Sequence, residues 1–189
     1  MGGILLAGRD QRMTTHARRW LYLVLIAGAV VLIDQLAKAL IIANLYPGET
    51  ITPIPALSAV FRLTYSQNTG AAFGFLPQAG DLFLLMAVII CAALFIFYPR
   101  IPGNAWLTRF GVALVVGGAI GNALDRLMHG AVTDFVHLTI PGLLSNVSNL
   151  ADHAIVLGVI MILVDSWFVQ GRQKAAPVPP PPEGGPPAA

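Results

Sequence analysis

Four long apolar runs divide this chain: Trp20–Ile42, Leu82–Tyr98, Trp106–Leu124 and His153–Val169. A helix needs about 20 apolar residues to cross hydrocarbon, within a range of about 17–25. All four runs reach that range. The first is interrupted only by Asp34, Gln35 and Lys38, and the second carries no charge. The third has Arg109 near its start and Asn122 near its end. The fourth has Asp165 beside Ser166 and Trp167, as at a membrane interface. The pattern between the runs is different. The loop Ala43–Asp81 turns at Pro47-Gly48, then shows alternating, β-branched stretches at Thr50–Pro53 and Ala59–Thr64. These predict a small β-structure lying on the membrane surface. The loop Asp125–Asp152 alternates loosely over Val132–Thr139 and turns at Pro141-Gly142. No internal repeat is visible. The expected fold is an all-α membrane protein with four transmembrane helices and a small extracytoplasmic β-structure.

Composition agrees. Of 189 residues, 56% are apolar and 11% charged, against about 25% charged in ordinary soluble domains. The mean hydropathy is +0.74. A net charge of +2 is too small to imply a nucleic-acid partner. The basic residues sit at the ends of spans, and their distribution sets the orientation. Arg9, Arg12, Arg18, Arg19, Arg100, Arg109, Arg172 and Lys174 fall on one side together with both termini. Lys38, Arg62 and Arg126 are left for the other. Both ends are therefore expected in the cytoplasm and both long loops outside. Residues 1–19 form a basic cytoplasmic segment, 20–170 a four-helix membrane domain, and 171–189 a Pro-rich tail expected to be disordered. The first run continues past signal-peptide length without a small-residue cleavage motif, so it reads as an uncleaved helix. The lone Cys91 has no intramolecular disulfide partner and reads as a small hydrophobe.

Against this background Asp134 and Asp152 stand out. A charge in lipid costs roughly 2.5–3.5 kcal/mol on insertion scales, so an acid beside a span reads first as functional. Two carboxylates sharing a low-dielectric site cannot both ionise cheaply and come to hold one proton between them. One can then take a proton from water while the other donates to a carbonyl oxygen or leaving nitrogen. The competing reading is two unrelated interfacial aspartates, with Asp152 as the N-cap of the fourth helix. Asn122 and Asp125 share a helix face, and Arg126 can grip a carboxylate or a peptide carbonyl in two places. The plainer alternative is a helix end anchored at the headgroups. Asn68-Thr69-Gly70-Ala71-Ala72-Phe73 places an amide before small residues that let backbone approach backbone, or is a turn before the second helix. Asp34 and Lys38, at i,i+4, form a structural ion pair. Gly117, Gly118 and Gly121 suggest close helix packing.

Other chemistries lack their signatures. There is no His-Glu-x-x-His motif, and His16, His129, His137 and His153 show no ligand spacing, so no metal and no cofactor is expected. There is no Gly-x-Ser-x-Gly elbow. A pairing of Ser145 or Ser148 with His153 is a weak rival. A proton channel or small transporter also uses paired intramembrane acids, but transporters often carry internal repeats.

Five motifs in order carry a resemblance. They are Asp34-Gln35-x-x-Lys38, Asn68-Thr69-Gly70-Ala71-Ala72-Phe73, Gly117-Gly118-x-x-Gly121-Asn122-x-x-Asp125-Arg126, Val132-x-Asp134-Phe135 and Asn149-Leu150-Ala151-Asp152. Together with the four spans, over about Trp20 to Gln170, the chain resembles the lipoprotein signal peptidases (signal peptidase II). The resemblance implies an intramembrane aspartyl endopeptidase in the bacterial inner membrane, with Asp134 and Asp152 as the catalytic pair. It implies that Asn68, Asn122, Asp125, Arg126 and Asn149 hold the substrate backbone, and that Asp34, Lys38 and Gly70 are structural. The implied substrate is a prolipoprotein bearing a diacylglyceryl-modified cysteine, cut before that cysteine, with globomycin-like peptides as inhibitors. The implied enzyme is a monomer in contact with membrane lipid, and its first outer loop covers the site. Ser148 stands where the family has an aromatic residue, and Thr139–Val147 is poor in aromatics.

Overall fold

The computed structural model describes residues 2–70 and 79–174. Its elements are helix α1 (Gly2–Asn44), strands β1 (Thr50–Ile51) and β2 (Phe61–Asn68), and helices α2 (Ala79–Phe97) and α3 (Trp106–His129). Strands β3 (Val132–Ile140) and β4 (Leu144–Ser148) follow, then helix α4 (Leu150–Lys174). Single 3-10 turns occupy Pro55–Leu57 and Tyr98–Arg100. Among the described residues three helices are long and apolar enough to cross a membrane: Ala17–Asn44, Trp106–His129 and Leu150–Phe168. The fourth expected span is met by a shorter apolar helix, Leu84–Arg100. The architecture is thus three long apolar helices, a shorter one and a small antiparallel sheet.

Helix α3 is the centre. Of its most apolar stretch 61% is buried, against 22% in α1 and 17% in α4. Its glycines explain how. A Cβ on Gly117 would stand 2.8 Å from Ala27 O of α1, and one on Gly111 would stand 2.6 Å from Gly158 O of α4. Gly158 meets Gly111 O in return. Without side chains between them the backbones approach closely, as small residues allow in membrane bundles. Large apolar side chains point outward instead, among them Leu25, Leu32 and Leu40 of α1 and Val156, Leu163 and Phe168 of α4. That is the arrangement expected where lipid is the solvent.

The β-structure is larger than the sequence suggested. Its four strands lie in the order β1-β2-β3-β4, each antiparallel to its neighbour. Both outer loops therefore build one sheet, with Phe61 opposite Leu138 and Asn68 opposite Val132. Strand β4 falls in the stretch read as an aromatic-poor loop. It pairs with β3 through a turn at Gly142, whose φ is +76°. Several helix ends also move. Helix α1 already begins at Gly2, so residues 2–19 are part of the helix. Helix α3 runs on to His129 and ends at Gly130 in the left-handed conformation. Helix α4 starts at Leu150, three residues before the expected span, and extends through Lys174, so the first four residues assigned to the tail are helical. Residues 175–189 and Ala71–Phe73 of the second motif lie outside the described residues.

Candidate active site

The sheet meets the bundle where α1, α3 and α4 carry their polar residues. The deepest layer is a buried charge cluster. Asp34, Lys38 and Asp125 are 0%, 2% and 2% exposed. Lys38 Nζ lies 2.7 Å from Asp34 Oδ2 and 2.9 Å from Asp125 Oδ2, and donates to Asn122 Oδ1 at 3.2 Å. One ammonium between two carboxylates leaves a net negative charge, so further donors are required. Ala151 N donates to Asp34 Oδ1 and Thr133 N to Asp125 Oδ2, each at 2.9 Å. Gln35 Nε2 donates to Asp125 Oδ1 at 2.8 Å. Gly121 makes room: a Cβ there would stand 2.9 Å from Asp34 Oδ2. The cluster ties α1 to α3, to the start of β3 and to the first turn of α4.

Asp134 and Asp152 rest on that layer from different elements. Asp134 is on β3, beside the β2 end. Asn68 Nδ2 donates to its Oδ2 at 3.0 Å, and Asn149 Nδ2 to its Oδ1 at 2.6 Å. Asn68 is held in turn by Gly70, whose N–H donates to Asn68 Oδ1 at 2.9 Å and whose φ is +80°. That backbone conformation favours glycine. Asp152 is the third residue of α4 and accepts from Asn122 Nδ2 at 2.7 Å. The N-cap role that the competing reading gave Asp152 belongs to Asn149: its Oδ1 accepts from Asp152 N at 2.9 Å, the bond of an N-cap residue to the third helical N–H. Asn149 thus links the Asp134 carboxylate to the backbone N–H of Asp152 through one amide. Arg126 donates to Asn122 O at 3.3 Å and lies in the fields of Asp152, Asp134 and Asp125.

Burial pushes the Asp134 carboxyl up to about 6, and the charge of Asp152 adds to the rise. The amides of Asn68 and Asn149 and the charge of Lys38 oppose it. A carboxyl that holds its proton near neutrality, beside a second carboxylate, is equipped for acid and base work in one place.

A cavity of about 530 Å³ opens here. Asn68, Gly70, Asn122, Arg126 and Asp152 form its polar wall, and α2, α3 and α4 give an apolar wall that includes Met86, Ile90 and Ile155. The candidate residues therefore divide. Asn68, Asn122, Arg126 and Asp152 face the cavity. Asp125 and Asn149 were expected to contact substrate, yet Asp125 is consumed by Lys38, Gln35 and Thr133, and Asn149 is fully buried between Asp134 and the helix start. Gln35, Thr133 and Ala151 complete the network without having been singled out. Gln35 stood in the Asp34-Gln35-x-x-Lys38 motif without a role of its own, and the other two donors are backbone. Ser148 Oγ and His153 Nε2 are 3.4 Å apart, at the long limit of hydrogen bonding, and neither lines the cavity.

The family model described as Signal peptidase (SPase) II matches residues 26–168. The chain belongs to the signal peptidase II family. It is 39% identical over 153 residues to a lipoprotein signal peptidase of Moorella thermoacetica, covering 81% of this chain and 97% of the relative. It is 38% identical to one from a Shewanella species over 154 residues, covering 79% and 86%. A solved bacterial membrane enzyme superposes with a TM-score of 0.71 at 30% identity, over 83% of this chain and 94% of the other. The family matches and the three membrane-length helices together make this signal peptidase II relative a membrane protein.

Proposed function

We propose that this chain is an intramembrane aspartyl endopeptidase that removes signal peptides from diacylglyceryl-modified prolipoproteins, cutting before the lipidated cysteine. The observation that carries the reading is the bridge from Asp134 to Asp152 through Asn149, beside a cavity that is polar on one wall and apolar on the other. In this reading α2 is the fourth span, both termini are cytoplasmic, and the site lies near the outer face of the bacterial inner membrane. The lipid anchor fixes the cysteine at one bilayer depth, so the scissile bond meets the carboxylates by geometry. The ionised member of the pair takes a proton from water as its oxygen attacks the carbonyl carbon. The protonated member gives its proton to the carbonyl oxygen. As the tetrahedral diol collapses, one of its hydroxyls returns a proton to the aspartate that gave one, the C–N bond breaks, and the leaving nitrogen takes the proton that the other aspartate had drawn from water. Asn68, Asn122 and Arg126 satisfy peptide groups that find no water there.

The test is a purified-enzyme assay on a synthetic signal peptide whose cysteine carries diacylglyceryl, with mass spectrometry of the products. Cleavage on the N-terminal side of that cysteine, and loss of cleavage when the lipid is omitted, is expected. No cleavage by folded protein, with proton flux through it in liposomes, would overturn the reading in favour of a channel.

A further inference from the structure

A second cavity, of about 350 Å³, lies at the other end of the bundle. Arg109 is 17 residues before Arg126 on α3, so at 1.5 Å per residue the two ends are about 25 Å apart. Arg19 and Tyr22 of α1, Tyr98 after α2, and Trp106 and Arg109 of α3 line it. None of these belongs to the carboxylate site.

The two arginines converge. A Cβ built on Gly103 would stand 3.0 Å from Arg19 Nη2 and 3.9 Å from Arg109 Nη2, so the two nitrogens are within 6.9 Å of each other. They repel one another. Among the described residues neither has a carboxylate within 4 Å, the ion pairs there all being those of Lys38. Asp165, at the same end on α4, is engaged by the backbone and hydroxyl of Thr108. Arg109 Nη2 is committed to Pro102 O and Gly103 O, but its Nε is buried and makes no hydrogen bond. A buried donor without an acceptor is costly, and two unneutralised guanidiniums facing one space are costlier. An anion with several acceptor oxygens satisfies both. Arginine pairs are suited to phosphate. The depth is that of a headgroup, since Tyr22 and Trp106 are exposed aromatic side chains at the end of spans.

We infer that this cavity binds a phosphate group, carried by the headgroup of an anionic phospholipid. The inference does not rest on the proposed peptidase activity. The test is native mass spectrometry of the full chain released from detergent with equimolar phosphatidylglycerol and phosphatidylcholine. Retention of phosphatidylglycerol over phosphatidylcholine is expected, and Arg19→Gln should reduce that preference about fivefold, the worth of one basic side chain near an anionic headgroup. Arg19→Gln leaves the Arg109 contacts to the Pro102-Gly103 turn intact, so it should fold. Arg62→Gln, which removes a charge at the sheet, should leave the preference unchanged. Equal retention of the two lipids, or an undiminished preference in Arg19→Gln, would overturn the inference. Thermal stabilisation by inorganic phosphate at matched ionic strength, as large as that by phosphatidylglycerol, would overturn the lipid as its source.

Discussion

Asn149 donates its amide to Asp134 at 2.6 Å from a position with no solvent exposure, while the same side chain caps the helix that carries Asp152. The two tasks are separable. Asn149→Ser keeps a hydroxyl able to cap but removes the amide that reaches Asp134. Both variants lose the buried bond to Asp134, but Asn149→Ala loses the cap as well and should cost about 1 kcal/mol more in unfolding free energy than Asn149→Ser. Both should lose most of the cleavage activity. If Asn149→Ser cleaves at the wild-type rate, the bond to Asp134 has no part in the chemistry.

Asp134→Asn and Asp152→Asn should each lower cleavage by about 10²–10⁴-fold, the range supplied by a positioned acid or base. Melting temperature in detergent checks that the fold is kept. Appreciable turnover by either variant would reassign the pair. Asp125→Asn is the comparison: Asp125 is buried against Lys38 and does not face the cavity, so it should alter stability more than the chemical step.

Stability should fall with rising pH because of Asp134. Its proton is held up to about 6 in the folded chain against an ordinary 3.8. Between those values the folded state binds more protons than the unfolded one, so each step up in pH favours unfolding. The contribution is fully present below about pH 4 and gone above about pH 6. After discounting for screening it amounts to about 1–2 kcal/mol. Thermal unfolding of wild type and Asp134→Asn across pH 4–7 reads it directly; parallel curves would refute it.

Lys38→Met should destabilise the protein by about 3–5 kcal/mol, because it leaves Asp34 and Asp125 buried without their counter-charge. Adding Asp125→Asn to Lys38→Met should recover part of the loss, since one of the two stranded carboxylates is then gone. Additive losses would mean that the three groups do not act as a cluster.

Cleavage should survive EDTA and should show a bell-shaped pH profile. A doubly protonated pair lacks a base and a doubly ionised pair lacks an acid. Loss of activity on chelation, restored by zinc, would reopen the histidines as ligands.

Much of this site was legible before any coordinates. Asp134 and Asp152 showed themselves because charge beside a span is expensive. Asp34 and Lys38 did so because i,i+4 spacing puts them on one helix face. Their third member was not legible as such: Asp125 lies far along the chain, and nothing in its own neighbourhood distinguishes a substrate contact from an ion-pair partner. Asn149 was misread for a local reason. The apolar run was counted from His153, which left Asn149 in a loop, although Asn-x-x-Asp is the spacing of an N-cap and the third helical residue. Strand β4 was missed because Leu143 and Leu144 break the alternation and are exposed. The sheet itself needs a pairing between Phe61–Asn68 and Val132–Leu138 across two helices, which no local pattern encodes.

The first turn of α4 has one more consequence, concerning the order of synthesis. Asp34, on α1, receives a hydrogen bond from Ala151 N, and Asp134 receives one from Asn149. Both donors belong to the cap and first turn of α4, which are made after α1, α3 and β3. Until that segment emerges and winds its first turn, Asp34 has Lys38 but not this backbone donor, Asp134 has one of its two amides, and Asp152 has no fixed position. The carboxylate pair is therefore assembled only once α4 has begun to wind, and a chain truncated before Asn149 has no pair at all.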